Sequence, residues 1–251
     1  MLKVNNLTKQ FTRTDKKTKA KSKVGIQNVT FEAKAGRIFG LIGANGAGKT
    51  TTMRIIANLT YPHSGKILLN DKDYKDIHNI KQKLGFVSGE TQVYDRLTPY
   101  EIIKMFGEFS GIESENLEKR IVEIATKLDM NDFLHDVCLN FSTGMKQKTS
   151  IARALVTDPE VLIFDEVTNG LDIFASRAVK DQVLQLKKEG KIILYSTHIM
   201  PDAEELCDDV AIIHKGEILA EGKVSVLKKE FGKNTIEEIF FDLVKNKNNE
   251  K

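Results

Sequence analysis

The sequence is 251 residues long, 41% hydrophobic and 29% charged, with a formal net charge of +3. That length suits one domain with two lobes, and the composition is that of a globular chain able to bury a sizeable core. The charge is too small to point to nucleic acid, and no apolar run approaches the ~18 residues of a membrane span. The opening "MLKVNNLTKQ" has no apolar signal region, so a cytosolic chain is expected, touching a membrane only through a partner. Cys138 and Cys207 are the two cysteines. They fit no metal-ligand spacing and are read as half-buried packing residues in a reducing compartment.

In chain order, "LKVNNLTKQF" and "VGIQNVTFEA" alternate as strands do. They are joined by a connector carrying Arg13, Lys16, Lys17, Lys19, Lys21 and Lys23. It reads as a solvated hairpin loop, with a contact to acidic lipid or an acidic partner loop as the alternative. A short buried strand, "GRIFGLIG", leads through a Gly-rich turn into the helix "KTTTMRIIANL". "GKILLN" and "LGFVSG" are further strands. From about Thr98 to Asp136 the apolar spacing turns helical, which predicts an inserted helical lobe. "FSTGMKQK" reads as a helix start, with Ser142 and Thr143 able to cap orphan amides and Gly144 allowing close approach; such a start can hold an anion. "EVLIFDE" suits a strand buried on both faces. Helices and strands then alternate through "KIILYSTH", "MPDAEELC", "DVAIIHKG" and "EILAEG", predicting a parallel, helix-covered α/β core.

Three stretches carry chemistry. "GANGAGKT", Gly43 to Thr50, fits G-x-x-x-x-G-K-[ST] between a strand and a helix. Its glycines let backbone amides curl around a β-phosphate, Lys49 reaches the β/γ oxygens, and the Thr50 hydroxyl is a ligand for Mg²⁺. In "VLIFDE", Asp165 ends a buried strand where it can hold Mg²⁺ through water, and Glu166 can polarise an attacking water. His198 follows the apolar strand "KIILY", which carries it to the carboxyl edge of the sheet. Taken alone, a histidine there is more often a satisfied hydrogen-bonding residue than a catalytic one, and only its place in the series raises it.

With these motifs in this order, the chain resembles the nucleotide-binding subunit of a bacterial ABC transporter over nearly its full length. "GANGAGKT" matches Walker A, "FSTGM" the signature written LSGGQ in the consensus, "VLIFDE" Walker B, "NGLD" the D-loop and "STH" the H-loop. The resemblance implies a P-loop NTPase (RecA-like) parallel-sheet core with an antiparallel β subdomain and an inserted α-helical subdomain. The expected arrangement is a single nucleotide-binding domain over 1–251, its helical lobe at about 98–158 and a helical tail at about 223–251.

ATP and Mg²⁺ are the implied ligands. Gly43, Ala44, Asn45, Gly46, Ala47, Gly48, Lys49, Thr50 and Thr51 would surround the phosphates, with Thr50 and Asp165 toward the metal. Glu166 and His198 would be catalytic. Phe11 falls where the family stacks an aromatic on adenine, although a strand-end core residue would also be a Phe. Two subunits, alike or different, are expected head to tail, with Ser142 and Gly144 of one meeting the γ-phosphate held by Lys49 of the other. The implied activity is ATP hydrolysis powering a separate membrane permease, on the export side and nearest the sodium-exporter type, with the subunit at the cytoplasmic face of the membrane. A soluble ABC ATPase acting on ribosomes or DNA, or a switch with weak hydrolysis, is the alternative.

The chain departs from the family at several positions. Thr143 and Met145 replace a glycine and a glutamine of the signature, and Ala44 and Val167 stand where prolines are common. Gly89 occupies the position of the Q-loop glutamine. A glycine has no side chain to offer metal or water, so Glu90, Gln92 or the backbone would have to stand in. The tail "VSVLKKEFGKNTIEEIFFDLV" is expected to pack on its own domain or on a dimer mate.

Overall fold

The computed structural model describes residues 1–14, 21–89 and 93–249. Of the Lys-rich connector, residues 15–20 lie outside the described residues, as do Glu90 and Gln92, whereas Arg13, Lys21 and Lys23 fall in strands rather than in a loop. In chain order the elements begin with β1 (Leu2–Thr14), β2 (Lys21–Ala33), β3 (Arg37–Ile42), α1 (Lys49–Ile56), β4 (Ser64–Leu69), β5 (Lys72–Asp73) and β6 (Leu84–Ser88). The helices α2 (Pro99–Phe109), α3 (Ser114–Lys127) and α4 (Thr143–Leu155) follow. The chain continues through β7 (Val161–Asp165), α5 (Ile173–Lys188), β8 (Ile192–Thr197), α6 (Met200–Leu206), β9 (Asp209–His214) and β10 (Glu217–Lys223). It ends in α7 (Val224–Phe231) and α8 (Ile236–Asn249). These divide into two compact units, one of residues 1–78 with 192–251 and one of 79–191.

The first unit holds two sheets. An antiparallel sheet runs β2-β1-β4-β5. Beside it, β9 and β8 flank β3 in parallel and β10 closes onto β9 in antiparallel fashion. Ile38, Leu41, Ile42, Ile193, Leu194, Val210, Ala211 and Ile212 are fully buried, because helix-covered parallel strands are apolar on both faces. Phe31 of β2 stacks on Phe39 of β3 with ring centroids 4.5 Å apart, tying one sheet to the other. The tail packs on its own unit: Ile236 and Ile239 are fully buried, and the Glu204 carboxylate on α6 accepts from Lys228 Nζ (2.6 Å) and from the Ile236 amide.

The second unit pairs β6 with β7 in parallel and carries the predicted helices. Helix α2 starts with a complete capping box, in which the Thr98 hydroxyl accepts from the Glu101 amide (3.1 Å) and the Glu101 carboxylate from the Thr98 amide (2.8 Å). Pro99 sits at the first helical position, where its missing N–H costs nothing. The side chains of β7 from Val161 to Phe164 are fully buried. Each such side chain contributes about 1.5–3 kcal/mol on leaving water, so this strand is a fixed platform for whatever follows it. Cys138, also fully buried, packs with Val93 and Ile102, and burial pushes its thiol up to about 11, which makes it a packing residue and a poor nucleophile. Both cysteines are free and more deeply buried than the sequence suggests.

Candidate active site

In the first unit, β3 and β8 run in register with Ile42 opposite Thr197, and the Gly43 amide donates to the Thr197 carbonyl at 3.4 Å. The Gly-rich loop and His198 therefore leave the same carboxyl edge from neighbouring strands, as the sequence predicts. The loop is closed by Ala47 N–H to Ala44 O (3.1 Å), and the Gly216 amide donates to Ala47 O (2.9 Å). Glycine is needed at its two ends. A β-carbon at Gly43 would stand 2.3 Å from the Ile213 carbonyl oxygen. Gly48, at φ +113°, occupies backbone space that side chains disfavour, and this sharp turn is what launches α1 with its amides toward the loop. Ala44, Asn45 and Gly46 are exposed, so the mouth of the loop faces outward.

Lys49 is almost wholly buried, and its ammonium donates to the carbonyls of Gly43 (2.8 Å) and Ala44 (3.1 Å). These bonds hold the charge at the loop, and an ammonium makes its stronger hydrogen bonds to anionic oxygens. Thr52, behind the loop, donates its hydroxyl to Gly48 O (3.0 Å) and pins the first turn of α1. Thr50 and Thr51 are half-buried on that same turn. After His198 the chain turns into α6 with Ile199 N–H on Thr197 Oγ1 (2.9 Å). Phe11, opposite Val24 on β2, is 45% exposed, which removes the core-residue reading; Lys9 Nζ lies 5.7 Å from its ring centroid.

In the second unit, Asp165 is 4% exposed at the end of β7 and Ser88 faces it across the ladder. The Gly89 amide continues that ladder to the Asp165 carbonyl (3.0 Å). Gly89 is thus wedged against the turn that follows: a β-carbon on it would stand 2.3 Å from the Glu166 carbonyl oxygen. The family's glutamine has no room here, and contact at this position is made by backbone. Glu166 has a left-handed backbone, φ +52°, uncommon for a residue with a side chain. Val167 and Thr168 behind it are buried, so replacement of the usual proline by Val167 leaves a packed turn. Asn169, the first residue of the D-loop stretch "NGLD" and given no individual role by the sequence, donates Nδ2–H to Glu166 Oε2 at 3.0 Å. Its position three residues after Glu166, with turn residues between, was the available signal.

The signature forms the helix start expected of it. Ser142 is the N-cap of α4, and its hydroxyl accepts from the Met145 amide at 3.2 Å. A β-carbon at Gly144 would lie 3.4 Å from Ala175 Cβ, an ordinary contact, so glycine there is not demanded by packing within this chain. The lysines that follow have partners: Lys146 pairs with Asp95 (3.2 Å), and Lys148 donates to the Asp129 carbonyl (2.9 Å). The amides at the start of α4, more than these ammonium groups, are what the helix offers an anion. Asp172, also within the D-loop, caps α5 by accepting from the Phe174 (2.8 Å) and Ala175 (2.9 Å) amides.

A glycine-rich loop with a buried lysine at its helix, joined in one chain with a buried-strand Asp-Glu pair, defines a P-loop nucleoside triphosphatase. The family model described as "ABC transporter" matches residues 26–169, and the chain belongs to that family. It is 40% identical over 215 residues to the ABC transporter ATP-binding protein NatA of Bacillus subtilis, covering 85% of this chain and 86% of that one. It is 32% identical over 216 residues to the Nod factor export ATP-binding protein I of Cupriavidus metallidurans, covering 85% and 71%. A solved ATP-binding subunit of an ABC transporter superposes with a TM-score of 0.79 at 30% identity, over 97% of this chain and 99% of that one. The chain is thus an ATP-binding and ATP-hydrolysing subunit that works with a membrane permease, on a P-loop NTPase fold. Action on ribosomes or DNA is not favoured. Among the described residues no helix is long and apolar enough to cross a membrane.

Proposed function

We propose that the residues named above divide the work of ATP hydrolysis, and that this hydrolysis drives a permease in the export direction from the cytoplasmic face of the membrane. The observation that carries the reading is Lys49, buried and held by two loop carbonyls at the start of α1. A multivalent anionic acceptor such as a triphosphate competes well for such an ammonium. Loop amides from Gly43 to Thr51 receive the phosphates, and Phe11, half exposed beside Lys9, offers a stacking face to the base.

The Thr50 hydroxyl and the buried Asp165 carboxylate are hard oxygen donors of the kind Mg²⁺ takes, so the residues present fit that ion. Bound there, it would neutralise charge developing on the β/γ oxygens. Glu166 accepts the proton of the attacking water as the water oxygen bonds to the γ-phosphorus and the bond to the ADP oxygen breaks. His198, at the carboxyl edge beside the loop, serves as a hydrogen-bonding partner for the γ-phosphate.

Ser142 and Gly144 complete the reading. Gly144 is not required by its own chain's packing, and the capped start of α4 suits an anion. Both fit a role on the nucleotide of a second subunit, the two closing on ATP and separating after hydrolysis. Export is supported by the Nod factor export relative.

The test is light scattering of Glu166→Gln with and without ATP, alongside its rate. Loss of a positioned base should slow hydrolysis by ~10²–10⁴, and the variant should pass from monomer to dimer only with ATP. Hydrolysis at the parental rate would remove Glu166 from the mechanism.

A further inference from the structure

The Glu166 carboxylate does not stand alone on its turn. Asn169 Nδ2–H donates to Glu166 Oε2 at 3.0 Å, and the Asn169 amide donates to the Glu166 carbonyl at 3.1 Å. One residue therefore grips another through both side chain and backbone. The two residues between them, Val167 and Thr168, are 0% and 5% exposed, so the turn is packed and cannot swing freely. On its other side the Gly89 amide is fastened to the Asp165 carbonyl, and Gly89 leaves no space for Glu166 to shift toward it. The orientation of the Asn169 amide is fixed by chemistry: an ionised carboxylate only accepts, so the NH₂ end must face it.

We infer that Asn169 is the positioning residue for Glu166, a hydrogen-bond donor that sets where the catalytic carboxylate sits when water attacks ATP. The inference rests on the reading of Glu166 as the proton acceptor. Asn169 itself takes no proton and touches no reacting atom. A carboxylate on a side chain with three rotatable bonds explores many positions, and fixing one oxygen removes most of them before the substrate arrives. Asn169 is exposed, so its own burial gives the fold little; its amide is of use chiefly to the group it holds.

The distinguishing variant is Asn169→Asp. It keeps the size and turn preference of asparagine but replaces the donor with a second carboxylate. In full-length protein with ATP and Mg²⁺, Asn169→Asp and Asn169→Ala should each lower kcat by roughly 10–100-fold, the scale of a misplacement near 1 Å. KM for ATP should stay within about twofold, since a positioning group acts on the transition state more than on binding. In a Glu166→Gln background, either change should cost less than about twofold further, because there is no carboxylate left to place.

Parental kcat in Asn169→Asp would overturn the inference. So would a loss of equal size in the Glu166→Gln background, which would mean that Asn169 acts independently of Glu166. The underlying reading fails separately, through parental hydrolysis by Glu166→Gln alone. A thermal midpoint equal to the parent's in Asn169→Asp excludes misfolding as the cause of a lower rate.

Discussion

Gly89 and Glu166 approach so closely that a single added carbon on Gly89 would stand 2.3 Å from the Glu166 carbonyl oxygen. The family's glutamine position is thereby converted into a backbone contact, with the Gly89 amide on Asp165 and its Cα against the turn that presents Glu166. The loop after β6 and the turn that carries Glu166 are thus joined through main chain, without an intervening side chain.

Gly89→Ala should consequently push the Glu166 turn outward. ATP affinity, set by the Gly-rich loop, should be unchanged, while kcat falls about tenfold or more for a displacement of this kind. Steady-state kinetics with ATP titration separates the two. An unchanged kcat would show that the turn relaxes at no cost.

Lys49→Ala removes a buried ammonium and leaves the Gly43 and Ala44 carbonyls without that donor. A charge-assisted hydrogen bond contributes about 1.5–3 kcal/mol, so ATP binding should weaken by roughly ten- to a hundredfold in calorimetric titration. Hydrolysis should be lost with it.

The cap that Ser142 makes and the contact proposed for it with a second subunit's nucleotide can be tested separately. Ser142→Ala deletes the acceptor for the Met145 amide and should lower stability by about 1 kcal/mol, a fall of roughly 2–4 °C in the thermal midpoint for a chain of this size. Ser142→Arg should leave ATP binding by the single subunit intact and prevent the ATP-dependent dimer of Glu166→Gln. Light scattering reads the second effect and calorimetric titration the first.

Asp158, shortly after α4, pairs with Lys191 (2.7 Å) and with Arg120 of α3 (3.1 Å). The hydrogen bond from Lys191, with the charges of Lys191 and Arg120, holds its carboxyl below the ordinary carboxylate value. A depressed folded-state value means that the stability is fully present above the unfolded-state value and is lost as pH falls through the folded one. Asp158→Asn should therefore be less stable than the parent at neutral pH and equal to it in strong acid. Because Asp158 is 67% exposed, the neutral-pH difference should be about 1 kcal/mol or less. Denaturant melts across the acid range check this, and a difference that persisted in acid would mean that packing, not charge, is what the substitution removes.

What the sequence determined by itself is local. Gly43 to Thr50, the apolar run into Asp165 and Glu166, and Ser142 at a helix start are contiguous patterns. Glycine backbone freedom, burial of an unbroken apolar strand and a side-chain cap act within a few residues, so their outcome is written in order along the chain. The helices within 98–158 were legible for the same reason, through apolar spacing. The tertiary structure alone decided how Lys49 folds onto its loop carbonyls, that Lys146 and Lys148 are occupied by Asp95 and Asp129, and that Phe11 is half exposed. It alone brought Gly89 against Glu166, because that contact is set by the register of β6 on β7, with Ser88 opposite Asp165. Register is a property of two paired strands distant in sequence, and no single stretch of chain encodes it.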